Sequence, residues 1–98
     1  MNIATKHSFV ALIVEDNPAD VLFLTEAIES SSTAISVQVV SNGEDAMRFL
    51  RRQEPFGAAP RPDVVMMDLN VPLKSGKEVL KEMAAEPGLR TIPVAISR

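Results

Sequence analysis

Three acidic residues in this sequence directly follow or end an apolar run, and together they could bind a cation. Glu15 and Asp16 come after the run Phe9–Val14, and Asp68 ends the run that begins at Asp63. Carboxylates that meet in one crevice repel one another, so the cluster is costly unless a cation or a proton neutralises it. Mg2+ fits best, because this hard ion takes oxygen ligands and commonly pairs one or two carboxylates with a substrate phosphate. With Mg2+ in place, one carboxylate oxygen could attack phosphorus and form an acyl phosphate.

The apolar pattern predicts four strands that alternate with three helices. A run without polar alternation, like the one before Glu15, is typical of a strand buried on both faces of a parallel sheet. Alternation of apolar and polar residues over 35–39 indicates a strand at a sheet edge. Asn17 and Pro18 are typical of a helix start, because Asn caps free amides and Pro fits the first helical position. We expect strands at 9–14, 35–39, 63–67 and 92–96, and helices at 18–29, from 42–43 onwards, and after Gly76 as far as 87–88.

The order βαβαβαβ predicts an α/β fold, a flavodoxin-like, doubly wound parallel sheet with helices on both faces and strand order 2-1-3-4. In such a sheet, ligands bind beyond the carboxyl ends of the strands, at the point where the strand order reverses. That point lies between the first and third strands. Glu15 and Asp16 close the first strand and Asp68 closes the third, so the three carboxylates should converge on one crevice.

Composition and charge limit the classes of partner. The chain has 98 residues, a formal net charge of -3 and no cysteine, which predicts a single domain without disulfides or thiolate metal sites. No basic field is present to attract nucleic acid, and no apolar run is long enough for a signal peptide or a membrane span. We therefore expect a cytoplasmic protein with protein and ion partners. Arg48, Arg51 and Arg52 are interpreted as a solvated helix face.

The segments Val14–Pro18 and Val65–Pro72, with Gly76 eight residues past Asp68, resemble the receiver domains of bacterial response regulators in two-component signal transduction. The chain is similar, more narrowly, to the small stand-alone receivers that partner phytochrome-type histidine kinases. The features behind that narrower resemblance are Asp-Asn-Pro-Ala-Asp, the Pro/Arg-rich loop before the third strand, and Pro-Leu-Lys-Ser-Gly after it. The resemblance implies a CheY-like fold and a place in a phosphorelay.

The resemblance also implies a role for each matching residue. Asp68 corresponds to the phosphoacceptor, which becomes an aspartyl phosphate. Asp16 and Asp68 correspond to direct magnesium ligands, Glu15 to the acid that holds the metal through water, and Asn70 to a ligand through its backbone carbonyl. The resemblance implies a protein that becomes phosphorylated and is not an enzyme. Its own chemistry would be limited to Mg2+-dependent self-phosphorylation and slow dephosphorylation.

The resemblance breaks near the end of the chain. The family has a Ser or Thr switch hydroxyl at the end of strand four, where this sequence has Arg98, and Ser97 lies one position early. A shift of one residue turns a strand side chain to the opposite face. The fifth strand, its lysine and the fifth helix have no counterpart here, and Lys74 in the loop after Asp68 is interpreted as a surface lysine. We expect an incomplete domain over 1–98: a fragment, an altered reading frame, or a homo-oligomer in which a second copy covers the exposed edge of strand four.

Three functions remain open at this point. The first is a signalling domain that takes a phosphoryl group from a histidine kinase phosphohistidine onto Asp68 and switches partner binding. The second is a pseudo-receiver that binds partners without phosphorylation. The third is an aspartyl-phosphate phosphatase, which would use an acid two residues after the nucleophile, where this chain has Asn70.

Overall fold

A computed structural model describes residues 9–30 and 34–97, whose strands form one parallel sheet. The elements in chain order are β1 (Phe9–Val14), α1 (Pro18–Glu29), β2 (Ile35–Val40), α2 (Gly43–Leu50), β3 (Val64–Met67), α3 (Gly76–Ala85) and β4 (Val94–Ile96). The strands lie in the order β2-β1-β3-β4, and each neighbouring pair is parallel. The predicted α/β fold and strand order are confirmed.

The two faces of the sheet carry different helices. The chain crosses from β1 outwards to the edge strand β2, and then runs in the opposite direction across the sheet, through β3 to β4. Right-handed crossovers therefore place α1 on one face and α2 and α3 on the other. The main core lies on the face of α2 and α3. Its buried members are Leu12, Val14, Val40, Ala46, Met47, Phe49, Leu50, Val65, Met67, Val71, Val79, Met83, Leu89 and Ile92.

Each helix begins at a side chain that accepts hydrogen bonds from otherwise free amides. Asn17 Oδ1 accepts from two first-turn N–H groups of α1 at 2.9 and 3.3 Å, and Asn42 Oδ1 caps α2 with a bond of 2.7 Å. Ser75 caps α3 in a capping box, in which Ser75 and Glu78 each accept from the other's backbone N–H. These caps fix the helix starts next to the loops that carry the acidic residues.

Helix α1 is less buried than its sequence pattern suggests. The spacing of Val21, Leu24 and Ile28 puts them on one face of α1, but they are only half-buried, and no residue of α1 is fully buried. Leu22 and Phe23 are 59% and 70% exposed. Helix α1 therefore contributes nothing to the main core.

Strand β4 begins two residues later than predicted. The N–H of Ile92 donates to Leu89 O at 3.0 Å within a turn, and Pro93 has no N–H to give. Pro93 O still accepts from the N–H of Val65 at 3.0 Å, so the residue borders the sheet without belonging to the strand. No helix in the described ranges is both long and apolar enough to cross a bilayer.

Ion pairs join the end of α2 to α3. The Arg51 guanidinium contacts the carboxylates of Glu82 and Glu86, and the hydrogen bond to Glu86 raises the pKa of Arg51 above its ordinary value. Arg48 pairs within α2, with Asp45 at 2.7 Å. The arginines interpreted as a solvated face thus differ in environment, and Arg51 links two helices.

Candidate functional site

The carboxyl end of β1 is held by backbone pairing that continues past the strand. The N–H of Glu15 donates to Val40 O at 3.0 Å. Glu15 is 2% exposed, and its Oε2 accepts from the N–H of Asn17 at 3.1 Å. Asp16, the next residue, is exposed. The two adjacent acids therefore have different environments, one buried and one open to solvent.

The carboxyl end of β3 places Asp68 beside the end of β1. The N–H of Asp68 donates to Val14 O at 3.0 Å, which extends the pairing of the two strands by one residue. Asp68 is 6% exposed, and its Oδ1 accepts from the N–H of Asn70 at 2.9 Å. A strand on one side and a turn on the other therefore fix Asp68.

The structure brings the three predicted carboxylates together. One oxygen each from Glu15, Asp16 and Asp68 lie within 4.8 Å of one another, and we name this group the acidic cluster. Burial raises the pKa of the Glu15 carboxyl above its ordinary value of 4.5, and the charges of Asp68 and Asp20 raise it further. The hydrogen bond from Asn17 acts in the opposite direction. The acidic cluster therefore disfavours a full set of negative charges unless a cation is bound.

The loop after Asp68 packs closely against the start of α3 at Gly76. A Cβ on Gly76 would lie 2.7 Å from Leu69 Cα and 2.8 Å from Asp68 O, distances that real Cβ atoms do not reach. The N–H of Gly76 also donates to Leu69 O at 3.1 Å. Glycine is therefore required here so that the backbone around Asp68 can approach α3.

Gly43, where the second helix was predicted to begin, makes a second close approach to this loop. A Cβ on Gly43 would lie 1.8 Å from Lys74 O, and the Gly43 N–H donates to Pro72 O at 3.3 Å. Helix α2 thus holds the loop that follows Asp68. A glycine at the first position of a helix, where most residues are better helix formers, is the signal that could have identified this contact.

Lys74 and Ser97 were the two residues considered for the incomplete part of the site. Lys74 is half-buried and pairs with Glu82, which lowers the pKa of that carboxyl, so the lysine is less exposed than interpreted. Ser97 is exposed, and its N–H donates to Met67 O at 2.9 Å just beyond β4. It lines a cavity of about 160 Å3 together with Glu15. The switch role of Ser97 stays a prediction. Arg98, which occupies the position of the family's switch hydroxyl, lies outside the described residues.

Most of the chain, including the acids at the strand ends, matches a known protein family. The model of the response regulator receiver domain matches residues 11–97. The chain belongs to this family. The observed strand order puts the acidic cluster at the switch point of the sheet.

The chain is similar to response regulators, some of which are named for phytochrome systems. Response regulator Rcp1 of Synechocystis sp. is 38% identical over 87 residues, which are 89% of this chain and 59% of Rcp1. The crystal structure of the phosphorylated cyanobacterial phytochrome response regulator RcpA has a TM-score of 0.87 and 39% identity, and the match covers 92% of this chain and 64% of that one. The Mn2+-bound form of Rcp1 has a TM-score of 0.86 and 38% identity, with 89% and 63% covered. The chain spans less than two thirds of the length of these relatives.

The acidic cluster of this receiver domain fits a divalent cation. Its three oxygens lie close enough to face one ion, and carboxylates are the donors that hard divalent ions take. The buried Glu15 carboxyl, whose pKa is raised by burial, would be relieved of its unfavourable charge by a bound cation. The N–H of Asn70 donates to Asp68 Oδ1. The role of the Asn70 carbonyl as a metal ligand stays a prediction.

Proposed function

We propose that this receiver domain accepts a phosphoryl group on Asp68 from the phosphohistidine of a sensor histidine kinase, with Mg2+ bound at the acidic cluster. The observation that carries the proposal is the meeting of Glu15, Asp16 and Asp68 within 4.8 Å at the ends of two neighbouring strands. Repulsion within the acidic cluster is useful in this setting, because it makes the cluster receptive to a cation that also attracts phosphate.

Glu15, Asp16 and Asp68, with the carbonyl of Asn70, are the groups we assign to Mg2+. When bound, the ion offsets negative charge on the phosphoryl oxygens and so lowers the cost of bringing an anion to a carboxylate. Two relatives support this assignment, because one was crystallised in a phosphorylated form and another with Mn2+. The choice of Mg2+ rests on the preference of that ion for carboxylates combined with phosphate.

Asp68 is the nucleophile in this proposal. Its Oδ1 accepts the N–H of Asn70 at 2.9 Å, which orients the carboxylate, so we assign Oδ2 to the attack on phosphorus. The new bond joins Oδ2 to phosphorus, the phosphorus–nitrogen bond of the phosphohistidine breaks, and the imidazole of the kinase leaves with the electron pair and takes up a proton from solvent. The product is an acyl phosphate on Asp68 and an unmodified kinase histidine.

The phosphorylated form is proposed to change partner binding. The similarity to RcpA and Rcp1 favours a phytochrome-type kinase as the donor. Ser97 is the hydroxyl nearest in sequence to the family's switch position, and it lines the same cavity as Glu15. Turnover of a separate substrate is not part of the proposal, because the position two residues after Asp68 is Asn70, whose amide cannot act as a general acid.

Phosphotransfer from an autophosphorylated, radiolabelled kinase domain tests the proposal. Label should move to the wild-type chain in Mg2+ and stay on the kinase in EDTA. The variants Asp68→Asn and Asp16→Asn should receive no label or far less. Asp45→Asn makes the same chemical change on α2, outside the acidic cluster, and should behave as wild type. Label on Asp68→Asn equal to that on the wild type would refute the assignment of the acceptor.

A further inference from the structure

Three arginines line one cavity near the amino end of β3. The cavity has a volume of about 280 Å3 and is lined by Leu50, Arg51, Arg52 and Arg61, and we name it the arginine pocket. Leu50 ends α2, and Arg61 lies just before β3. Asp68 follows the other end of β3, so the strand separates the arginine pocket from the acidic cluster.

Neutral acceptors hold two of these guanidinium groups in place. Arg52 Nε donates to the carbonyl of Ala59 at 2.9 Å. Arg61 donates from Nη1 to Gly88 O at 2.5 Å and from Nη2 to Thr91 Oγ1 at 3.1 Å. Neither arginine has an ion pair within residues 9–30 and 34–97. Because a guanidinium has five N–H donors, each group keeps donors for a ligand while its position is fixed.

Arg51 adds a third guanidinium whose charge is already compensated. It contacts Glu82 and Glu86 on α3. The uncompensated positive charge of the arginine pocket therefore comes from Arg52 and Arg61, in a chain whose formal net charge is -3. Two oriented cations beside a cavity form a local field of opposite sign to that of the whole chain.

The backbone at Arg52 gives a separate indication that its side chain matters. Arg52 N–H donates to Phe49 O at 3.2 Å, and Gln53 N–H donates to Arg48 O at 2.8 Å. These two bonds define a Schellman motif, whose left-handed position is usually glycine. Arg52 occupies that position with φ of 54°. A side chain in the left-handed region is strained, and strain of this kind is enriched at functional sites.

We propose that the arginine pocket binds the phosphate group of a small molecule, either a phosphate monoester or a diphosphate. The planar guanidinium fork matches two phosphate oxygens and gives charge-assisted, bidentate hydrogen bonds. A small ligand is favoured over an extended acidic peptide, because the cavity is limited to about 280 Å3 between four side chains. The site goes beyond the proposed phosphoryl acceptance and does not require it.

An NMR titration of the chain in EDTA with inorganic phosphate and then diphosphate tests the proposal. The amide signals of Arg52 and Arg61 should shift in a saturable way. Arg52→Gly and Arg61→Gln should each weaken binding roughly ten- to hundred-fold, as expected for lost hydrogen bonds to a charged group. Arg52→Gly separates binding from folding, because glycine suits the left-handed backbone and this variant should melt at the same temperature as wild type or higher.

Two control variants distinguish a built site from general charge effects. Arg48→Gln removes the same charge from α2, at a residue that pairs with Asp45 and does not line the arginine pocket, and it should bind phosphate as wild type does. Asp68→Asn should also bind as wild type, whatever the outcome of the phosphotransfer test. The proposal is overturned by absence of saturable binding, by equal weakening in Arg48→Gln and the pocket variants, or by tighter binding of an oligoglutamate peptide than of diphosphate.

Discussion

Replacing Asp68 by asparagine should make the metal-free protein more stable, because it removes one charge from the acidic cluster. An asparagine is nearly the same size, and its amide oxygen can still accept the N–H of Asn70. The carboxylates of Glu15 and Asp68 are both buried and are separated by no more than 4.8 Å. Their mutual repulsion should therefore be the main energetic term that the substitution changes.

Coulomb's law sets the magnitude of the effect. Two like charges at 4.8 Å repel by about 1 kcal/mol in water and by about 3 kcal/mol at the effective dielectric constant near a protein surface. We therefore expect Asp68→Asn to raise the free energy of unfolding in EDTA by about 1 to 3 kcal/mol. In Mg2+ the difference in unfolding free energy between the variant and the wild type should become smaller or change sign, because an ion at 100 times its dissociation constant stabilises the wild type by about 2.7 kcal/mol.

Urea unfolding at pH 7, in EDTA and in a series of Mg2+ concentrations, measures both effects. Asp45→Asn is the matched control, since it removes one negative charge from a half-buried pair with Arg48 that lies outside the acidic cluster. This control should be neutral or destabilising by less than about 1 kcal/mol. An Asp68→Asn variant less stable than wild type in EDTA, or a wild type that Mg2+ does not stabilise, would refute the reasoning.

Three further predictions concern stability. The pKa of Glu15 is raised above 4.5, so its favourable contribution to the free energy of unfolding is present below pH 4.5 and is lost as the pH rises through the raised value. Glu15→Gln should therefore become more stable relative to the wild type between pH 4.5 and 7, as measured by urea unfolding in EDTA. A difference in unfolding free energy that stays constant over this range would contradict the prediction. Gly43→Ala should destabilise by more than about 1 kcal/mol, since the new Cβ would lie 1.8 Å from Lys74 O, whereas Gly88→Ala, with nothing within 4 Å, should be neutral or stabilising. Ser75→Ala should lower the free energy of unfolding by about 1 kcal/mol through loss of the capping box, and an unchanged urea midpoint would show that the cap is dispensable.

The convergence of the acids could be predicted because it depends on two local signals and one topological rule. The unbroken apolar run before Glu15 and the similar run before Asp68 indicate parallel strands, and parallel strands end at the same edge of a sheet. Asn17 and Pro18 indicate the helix start that turns the chain away from that edge. Each of these signals lies within a few residues of the feature that it predicts.

The remaining features depend on contacts between distant parts of the chain. Gly43 meets Lys74 across 31 positions, and although a glycine at a helix start indicates a close approach, nothing in the residues around it identifies Lys74 as the partner. The arginine pocket likewise joins Arg52 at the end of α2 to Arg61, which is itself held by Thr91. Local periodicity also could not show that Val21, Leu24 and Ile28 are only half-buried on α1, because burial depends on what packs against the helix.

Location of the phosphoryl group by tandem mass spectrometry tests the central claim most directly. The chain is incubated with a small phosphodonor in Mg2+ or in EDTA, digested and sequenced by fragmentation. The proposed function predicts one phosphoryl group on the peptide that contains Asp68, at that residue alone, present in Mg2+ and absent in EDTA. An unmodified Asp68 in Mg2+, or a phosphoryl group on any other residue, would contradict it.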